Sequence, residues 1–259
     1  GRVALSFTPT YSMYPDYCRD TFTAYRTMPR RADFTIDLDA ALARVAAEQP
    51  DVVLLASPNN PSGTALGLAE IDALCAASRG MVVVDEAYAE FRRPGTPSAI
   101  ELLDAHPRLV VTRTMSKAFA LAGARLGYLV ASSAVVDAVQ LVRLPYHLSA
   151  VTQAVARTAL RHAPELLGSV AALRTERDAL ARWLSSQTGL VVAESDANFV
   201  LFGRFVDRDV IWQRLLDRGV LVRATGPQGW LRVSAGTPAE MAAFRSALTE
   251  SLEPDDLLP

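Results

Sequence analysis

Short apolar runs of strand length recur through the first half of this chain, and Ala/Leu-rich segments with helical spacing separate them. Asp51–Ala56 reads as a strand, followed by a Pro/Asn/Gly turn and a helix from about Leu68 to Ser78. Met81–Val84, Leu109–Thr112 and Gly127–Ala131 read as further strands, the last leading into a helix through Val135–Leu141. Strands that alternate with helices specify an α/β fold with a mostly parallel sheet, helices covering both faces. In such a sheet functional side chains lie just beyond the carboxyl ends of the strands. Asn60, Asp85 and Lys117 all fall at such ends.

Beyond Pro145 the pattern changes. Ser149–Leu184 is one long helical pattern with a break expected near Pro164. Strand-like V-V-A-E-S, A-N-F-V-L-F and V-L-V-R follow, then a helix around Asp209–Arg218, the strand W-L-R-V-S-A and a last helix from Ala239 to about Leu252. The expected division is a large domain over 1–145 and, over 146–259, a connecting helix with a smaller C-terminal α+β domain. The tail E-P-D-D-L-L-P is expected to fray. A formal net charge of −2 gives no electrostatic case for nucleic acid or an anionic membrane as partner. Cys18 and Cys75 stand far apart in no metal-ligand spacing and read as reduced thiols of a cytoplasmic protein. No metal is expected. The apolar runs are far too short to span a bilayer.

The chemistry concentrates in V-T-R-T-M-S-K-A-F-A-L-A-G-A-R-L-G-Y, residues 111–128. Lys117 follows an apolar strand and a hydroxyl-rich turn, and Arg125 comes eight residues later. An amine able to form a Schiff base, with hydroxyls and a guanidinium nearby to hold a phosphate, is what a pyridoxal 5′-phosphate (PLP) enzyme requires. Thr114, Ser116 and Arg125 are the phosphate candidates; Arg113, on the strand edge, reads as a structural ion-pair residue. Asp85 closes the run V-V-V, where its carboxylate can face a pyridine nitrogen and keep the ring protonated. Glu86 points the other way along the strand and reads as solvated. Tyr88 can donate to the ring's phenolic oxygen, with a packed core tyrosine as its plain alternative. Asn60, or Asn59 beside it, can donate to the same oxygen from the tight turn N-N-P-S-G. Arg232 is a charge in an otherwise apolar strand and calls for an anionic partner, either a substrate carboxylate or an internal acid.

Taken together, S-P-N-N-P-S-G, V-D-E-A-Y, T-R-T-M-S-K-A-F-A-L-A-G-A-R-L-G-Y, L-P-Y-H-L-S, D-A-N-F-V-L-F and L-R-V-S-A-G resemble the histidinol-phosphate aminotransferases. These are a branch of the class I/II, fold-type I PLP-dependent aminotransferases, and the resemblance covers nearly the whole chain. It implies Lys117 as the Schiff-base lysine, Asp85 on the pyridine nitrogen, and Tyr88 and Asn60 on the ring oxygen. It implies Thr114, Ser116 and Arg125 on the phosphate, and Tyr11 in P-T-Y-S-M-Y stacked on the cofactor ring. It further implies Arg232 on a substrate carboxylate, Arg223 on a substrate phosphate, and Asn198 and Tyr146 lining the substrate site. Tyr146 would act in its own site or in a partner's across a homodimer.

The implied reaction moves an amino group between histidinol phosphate and 2-oxoglutarate in histidine biosynthesis. Aromatic amino-acid transamination and threonine-phosphate decarboxylation use the same machinery, and a non-catalytic remnant is the reading from a different class. Members of the family carry a further stretch ahead of P-T-Y-S-M-Y, whose helix N-terminus cups the cofactor phosphate. This chain starts at Gly1 and runs directly into V-A-L-S-F-T, so a segment is expected to be missing. Weak PLP binding and little turnover are expected of such a fragment. The loop from Arg223 to Arg232 is also short for the family.

Overall fold

The computed structural model describes residues 1–258. Six strands, β1 (Val3–Thr8), β2 (Ala24–Pro29), β3 (Val52–Ala56), β4 (Met81–Asp85), β5 (Leu109–Thr114) and β6 (Gly127–Ala131), form one sheet in the order β2-β1-β3-β4-β5-β6. Every pairing is parallel except the antiparallel pairing of β6 on β5. The α/β architecture with a mostly parallel sheet is as the sequence implies.

The pleat sends alternate side chains to opposite faces. Leu5, Phe7, Val53, Leu55, Val82, Val84, Leu109 and Val111 therefore make one continuous buried layer. Helices α2 (Leu38–Glu48) and α3 (Leu68–Ala77) close over it with Ala41, Val45, Ile71 and Leu74. The opposite face, at Val52, Leu54 and Val83, is only half-buried.

Four elements went unread in the sequence: β1, β2, α2 and α1 (Tyr14–Asp20). Helix α1 is seven residues long and β2 is a largely exposed edge strand, so neither carries a strong period. Helix α2 does carry one, with apolar residues at 38, 41, 42 and 45, and the Asp37 side chain caps it by accepting from the Ala40 N–H.

The second half opens with α4 (Ser133–Val142) and α5 (Ala150–Arg161). It continues through α6 (Ala163–Ser185), which starts after a break at His162 with Pro164 in its first turn. The interrupted long helix is as expected from the sequence. A small antiparallel sheet of β7 (Val191–Val192), β8 (Phe199–Gly203) and β9 (Trp230–Ser234) then packs with α7 (Arg208–Asp217), α8 (Pro238–Ser251) and the end of α6. Phe202, Phe205, Phe244, Leu180 and Leu231 fill this second core.

Two expectations fail here. V-L-V-R is not a strand: the chain leaves α7 through Gly219 at φ +78°, and only Arg223 reaches bridging register with β9, opposite Arg232. The tail does not fray over its described residues. The Val206 N–H donates to Asp256 O, the Leu258 N–H donates to Arg204 O, and Arg214 pairs with Asp256 at 2.6 Å. No helix among the described residues is long and apolar enough to cross a membrane.

The segment 194–199 is pinned to the first sheet's loops. Arg93 donates to Asp196 from its backbone N–H, Nε and Nη2 at 2.8–3.0 Å and also pairs with Glu194. Arg177, on α6 and 1% exposed, bridges the carbonyls of Phe91 and Ala197 at 2.7 and 3.0 Å. The Asp196 N–H donates to Gly63 O at 2.8 Å. Gly63 holds φ +86°, and a Cβ there would fall 2.3 Å from Ser195 Oγ. Both the left-handed backbone and the close approach demand glycine. Gly63→Ala is expected to destabilise the protein by about 1–3 kcal/mol, read as a lower urea midpoint; an unchanged midpoint would mean the junction carries no load.

Candidate functional site

The strand order reverses between β1 and β3, since β1 leads outward to β2 while β3 continues on its other side. Ligands of open α/β sheets bind at that crevice, outside the carboxyl ends of the strands. A cavity of about 590 Å³ opens there. Tyr11 follows β1, Asn60 follows β3, Asp85 and Tyr88 end β4, and Thr114, Ser116 and Lys117 end β5. Arg125 enters from the turn before β6, and Arg223 and Arg232 from the second sheet. Ten of the twelve residues singled out in the sequence thus line one cavity.

The other two do not line it. Asn198 lies beside the cavity, one residue before Phe199, and its carbonyl accepts from the Ala235 N–H. Tyr146 stands 99% exposed between α4 and α5, with a left-handed backbone at φ +57°. Nothing among the described residues packs it toward the cavity.

Asp85 is half-buried at the end of β4. Its Oδ1 accepts from the Ala87 N–H at 3.1 Å and its Oδ2 from the Tyr14 hydroxyl at 3.3 Å. Burial raises its pKa, with the Ala87, Tyr14 and Thr112 donors opposing. No cation pairs with it among the described residues. Glu86, expected to be solvated, is instead 1% exposed. It accepts from Arg113 at 2.7 and 3.0 Å, from Ser98 Oγ and from the Ala99 N–H, and it also pairs with Arg92. Arg113 is therefore the structural ion-pair residue its strand-edge position implied. Alternation along β4 does send Glu86 away from Asp85, but toward a guanidinium cluster rather than water.

The turn after β3 separates its two asparagines. Asn59 is buried and consumed locally: Nδ2 donates to Pro9 O and Ser62 Oγ, and Oδ1 accepts from Thr10. Asn60 faces the cavity, where its Oδ1 accepts from Arg232 Nη1.

Lys117 Nζ sits 5.7 Å over the Tyr88 ring, which itself meets Phe199 edge-on at 5.1 Å. Burial, then the charges of Arg232, Arg125 and Arg223, lower the Lys117 pKa below the ordinary ammonium value. That enlarges the fraction of neutral, nucleophilic amine. Thr114 Oγ1 accepts from the Ser116 N–H, which tightens the turn that presents Lys117.

Arg223 and Arg232 exchange backbone hydrogen bonds at 2.9 and 3.0 Å, an antiparallel pair directly opposite each other. Opposed residues of this kind project to the same face, where two like charges repel. Arg232 rests its guanidinium 4.4 Å over Phe199, and its buried Nε has no hydrogen-bond partner. Neither arginine has a carboxylate partner among the described residues, so the internal-acid alternative for Arg232 falls away. Two opposed, unneutralised guanidiniums facing an amine make a site for a dianionic ligand. No group of three or more His, Cys, Asp or Glu among the described residues is placed to hold a metal.

The sequence matches the family described as aminotransferase class I and II over residues 1–248. This chain belongs to the class I and II aminotransferases. The histidinol-phosphate aminotransferase of Thermobifida fusca is 64% identical over 248 residues, covering 96% of this chain and 67% of that protein. Histidinol-phosphate aminotransferase 3 of Burkholderia lata is 60% identical over 250 residues, with the same two coverages. The chain thus spans about two thirds of the length of these relatives. The crystal structure of histidinol-phosphate aminotransferase from Sinorhizobium meliloti in complex with pyridoxal 5′-phosphate superposes with a TM-score of 0.87 at 28% identity, covering 97% of this chain and 70% of that one. For an aminotransferase chain the signal missed in the sequence is Tyr14. It sits in P-T-Y-S-M-Y three residues after Tyr11 and, from outside β4 and β5, donates its hydroxyl to Asp85.

The raised Asp85 pKa fixes a sign for stability. A carboxyl group whose pKa is higher folded than unfolded stabilises the fold below its unfolded value and loses that contribution as pH rises through the folded one. Asp85→Asn is therefore expected to raise the thermal midpoint of the cofactor-free protein at pH 7. The gap should close as pH falls toward the ordinary carboxylate value of 3.8. A pH-independent gap in calorimetry would show that ionisation of Asp85 is not its cause.

Proposed function

We propose that this chain catalyses PLP-dependent transamination between L-histidinol phosphate and 2-oxoglutarate, a step of L-histidine biosynthesis. The observation that carries this reading is the opposed pair Arg223 and Arg232, free of carboxylate partners and facing Lys117. The names of the relatives at 64% and 60% identity support the choice of substrate. The residues present fit the cofactor. The half-buried Asp85 carboxylate, without a cation among the described residues, stands at the floor, and Lys117, Arg125, Thr114 and Ser116 stand at the rim.

Pyridoxal phosphate, when bound, supplies an aldehyde for the amino group and a ring that draws electrons from the substrate Cα. Lys117 Nζ holds the cofactor and, once released, carries the proton between substrate Cα and cofactor C4′. Asp85 keeps the ring nitrogen protonated, and Tyr11 lies against the ring face. Tyr88 donates its hydroxyl to the ring oxygen. Asn60 joins it through Nδ2, since its Oδ1 is held by Arg232. Thr114, Ser116 and Arg125 take the phosphate. Arg232 binds the carboxylate of the acceptor and Arg223 the phosphate of the donor, in successive half-reactions. Asn198 borders the substrate.

We assign Tyr146 to the site of a second copy in a homodimer acting in the cytoplasm. The apolar stripe of Leu141, Val142, Leu144, Tyr146 and Val151, each more than 70% exposed, supports such an interface. Both cysteines are free, in keeping with a reducing compartment.

The first test is an absorbance spectrum with added PLP, followed by histidinol phosphate. A near-visible band that borohydride fixes onto Lys117, that histidinol phosphate bleaches and that Lys117→Ala abolishes is expected. A band surviving in Lys117→Ala would exclude that lysine. Arg223→Ala should weaken histidinol phosphate by about ten- to a hundredfold, the loss of one charge-assisted contact of about 1.5–3 kcal/mol. It should leave an unphosphorylated amino acid nearly unaffected. Equal losses on both would remove Arg223 from the phosphate role.

A further inference from the structure

Tyr14 is 5% exposed, sits in the first turn of α1, and makes two contacts that matter to the cavity without lining it. Its hydroxyl donates to Asp85 Oδ2 at 3.3 Å, and its ring meets Tyr11 edge-on, with centroids 5.5 Å apart and planes at 86°. One side chain thus touches both the carboxylate at the cavity floor and the aromatic at its wall. We propose that Tyr14 is a positioning residue that holds Asp85 ionised and aimed at the ring nitrogen of the bound cofactor. The proposal rests on the reading that Asp85 meets that nitrogen.

A carboxylate at the end of a buried strand has two oxygens to satisfy and only one fixed backbone donor, the Ala87 N–H on Oδ1. The Tyr14 hydroxyl takes Oδ2 from the side, which fixes the rotation of the carboxylate. A phenol has a single proton to give. Burial, then the charge of Asp85 and the hydrogen bond to it, push the Tyr14 pKa well above the ordinary value, so the phenol keeps its proton at neutral pH. Arg30 lies behind the pair, 8% exposed, donating to the carbonyls of Phe7 and Phe34. Its charge acts in the opposite direction on Tyr14, making the phenol a stronger donor.

The other titratable groups facing Asp85 are Tyr11, Tyr88 and Glu86. The two tyrosines show no hydrogen bond to Asp85, and Glu86 is neutralised by Arg113 and Arg92. Besides the Ala87 N–H and the Thr112 hydroxyl, Tyr14 is the donor that keeps the carboxylate charged. Those two belong to the loop and strand beside Asp85, whereas Tyr14 comes from α1. Its hydrogen bond to Asp85 and its ring contact with Tyr11 couple the floor to the segment carrying Tyr11.

Two measurements on the whole chain test this. In the cofactor-free protein, with 13C-labelled aspartate and the Asp85 carboxyl signal assigned through Asp85→Asn, Tyr14→Phe should raise the titration midpoint of Asp85. 3-Fluorotyrosine at position 14 keeps the shape and strengthens the O–H donor, so it should lower the midpoint. It also keeps the question answerable if the phenylalanine variant does not fold. A midpoint unmoved by either change overturns the proposal.

The second measurement compares the affinity of PLP with that of its carbocyclic analogue, in which a C–H replaces the ring nitrogen. Tyr14→Phe should weaken PLP by about three- to tenfold, the effect of one modest hydrogen bond, and leave the analogue unchanged. Equal weakening of both would reduce Tyr14 to a packing residue and overturn its positioning role. A wild-type protein that does not discriminate between the two would overturn the ring-nitrogen reading of Asp85, while the carboxyl titration would still report on Tyr14 itself.

Discussion

The placement of one sheet against the other depends on the junction built around Arg177. That guanidinium is buried between the carbonyls of Phe91 and Ala197, so it ties the loop after β4 to the segment that leads into β8. Arg93 grips Asp196 next door, and Gly63 lets the Asn-Pro turn approach Ser195 without a side chain in between. Buried hydrogen bonds to a charged group are stronger than neutral ones and directional, so they set orientation as well as proximity. Apolar packing alone, at the Tyr88–Phe199 contact for example, would bring the two sheets together without fixing their angle. Because Phe199 follows directly from this segment and carries Arg232 on its face, the junction sets where Arg223 and Arg232 stand in the cavity that Lys117 also lines.

Charge in this molecule is arranged by opposite rules in two adjoining places. Glu86, Arg113, Arg92 and Ser98 form a closed cluster in which the buried charge meets several donors. Removing one partner from such a cluster leaves an uncompensated buried charge, which costs about 3–5 kcal/mol. One residue away, Asp85 is left without a cation, and across the cavity Arg223 and Arg232 are left without an anion. Burial penalises the charged forms of Asp85 and Arg232, and a ligand carrying the complementary charges would offset that penalty. The end of β4 thus sends Glu86 into an ion-pair cluster and Asp85 to the cavity, because the pleat turns them to opposite faces.

The exposed apolar stripe from Leu141 to Val151 follows a similar logic on a larger scale. It groups several highly exposed apolar side chains, and it carries Tyr146, which stands 99% exposed and does not line the cavity. A second copy covering that stripe would bury it and give the tyrosine a site to enter.

Much of this was legible in the sequence because parallel strands present their carboxyl ends on one side. The period of the apolar runs then forces Asn60, Asp85 and Lys117 to one edge whatever the detailed packing. The hydroxyls and arginine of residues 114–125 followed from proximity to Lys117, and Arg232 from the cost of a charge in an apolar strand. Other features had no local signal. The choice of Asn60 over Asn59 depends on Pro9, Thr10 and Ser62 consuming one amide. The burial of Glu86 depends on arginines brought in by two other segments. The pairing of Arg223 with Arg232 arises from a single bridge rather than from the strand that V-L-V-R implied. Residue types and periods are local properties, so the sequence by itself determined four of the sheet's six strands, the edge where Asn60, Asp85 and Lys117 stand, and the candidate reacting groups. Which polar groups are satisfied and which are left facing the cavity is a contact between distant segments, and only the tertiary structure decided it.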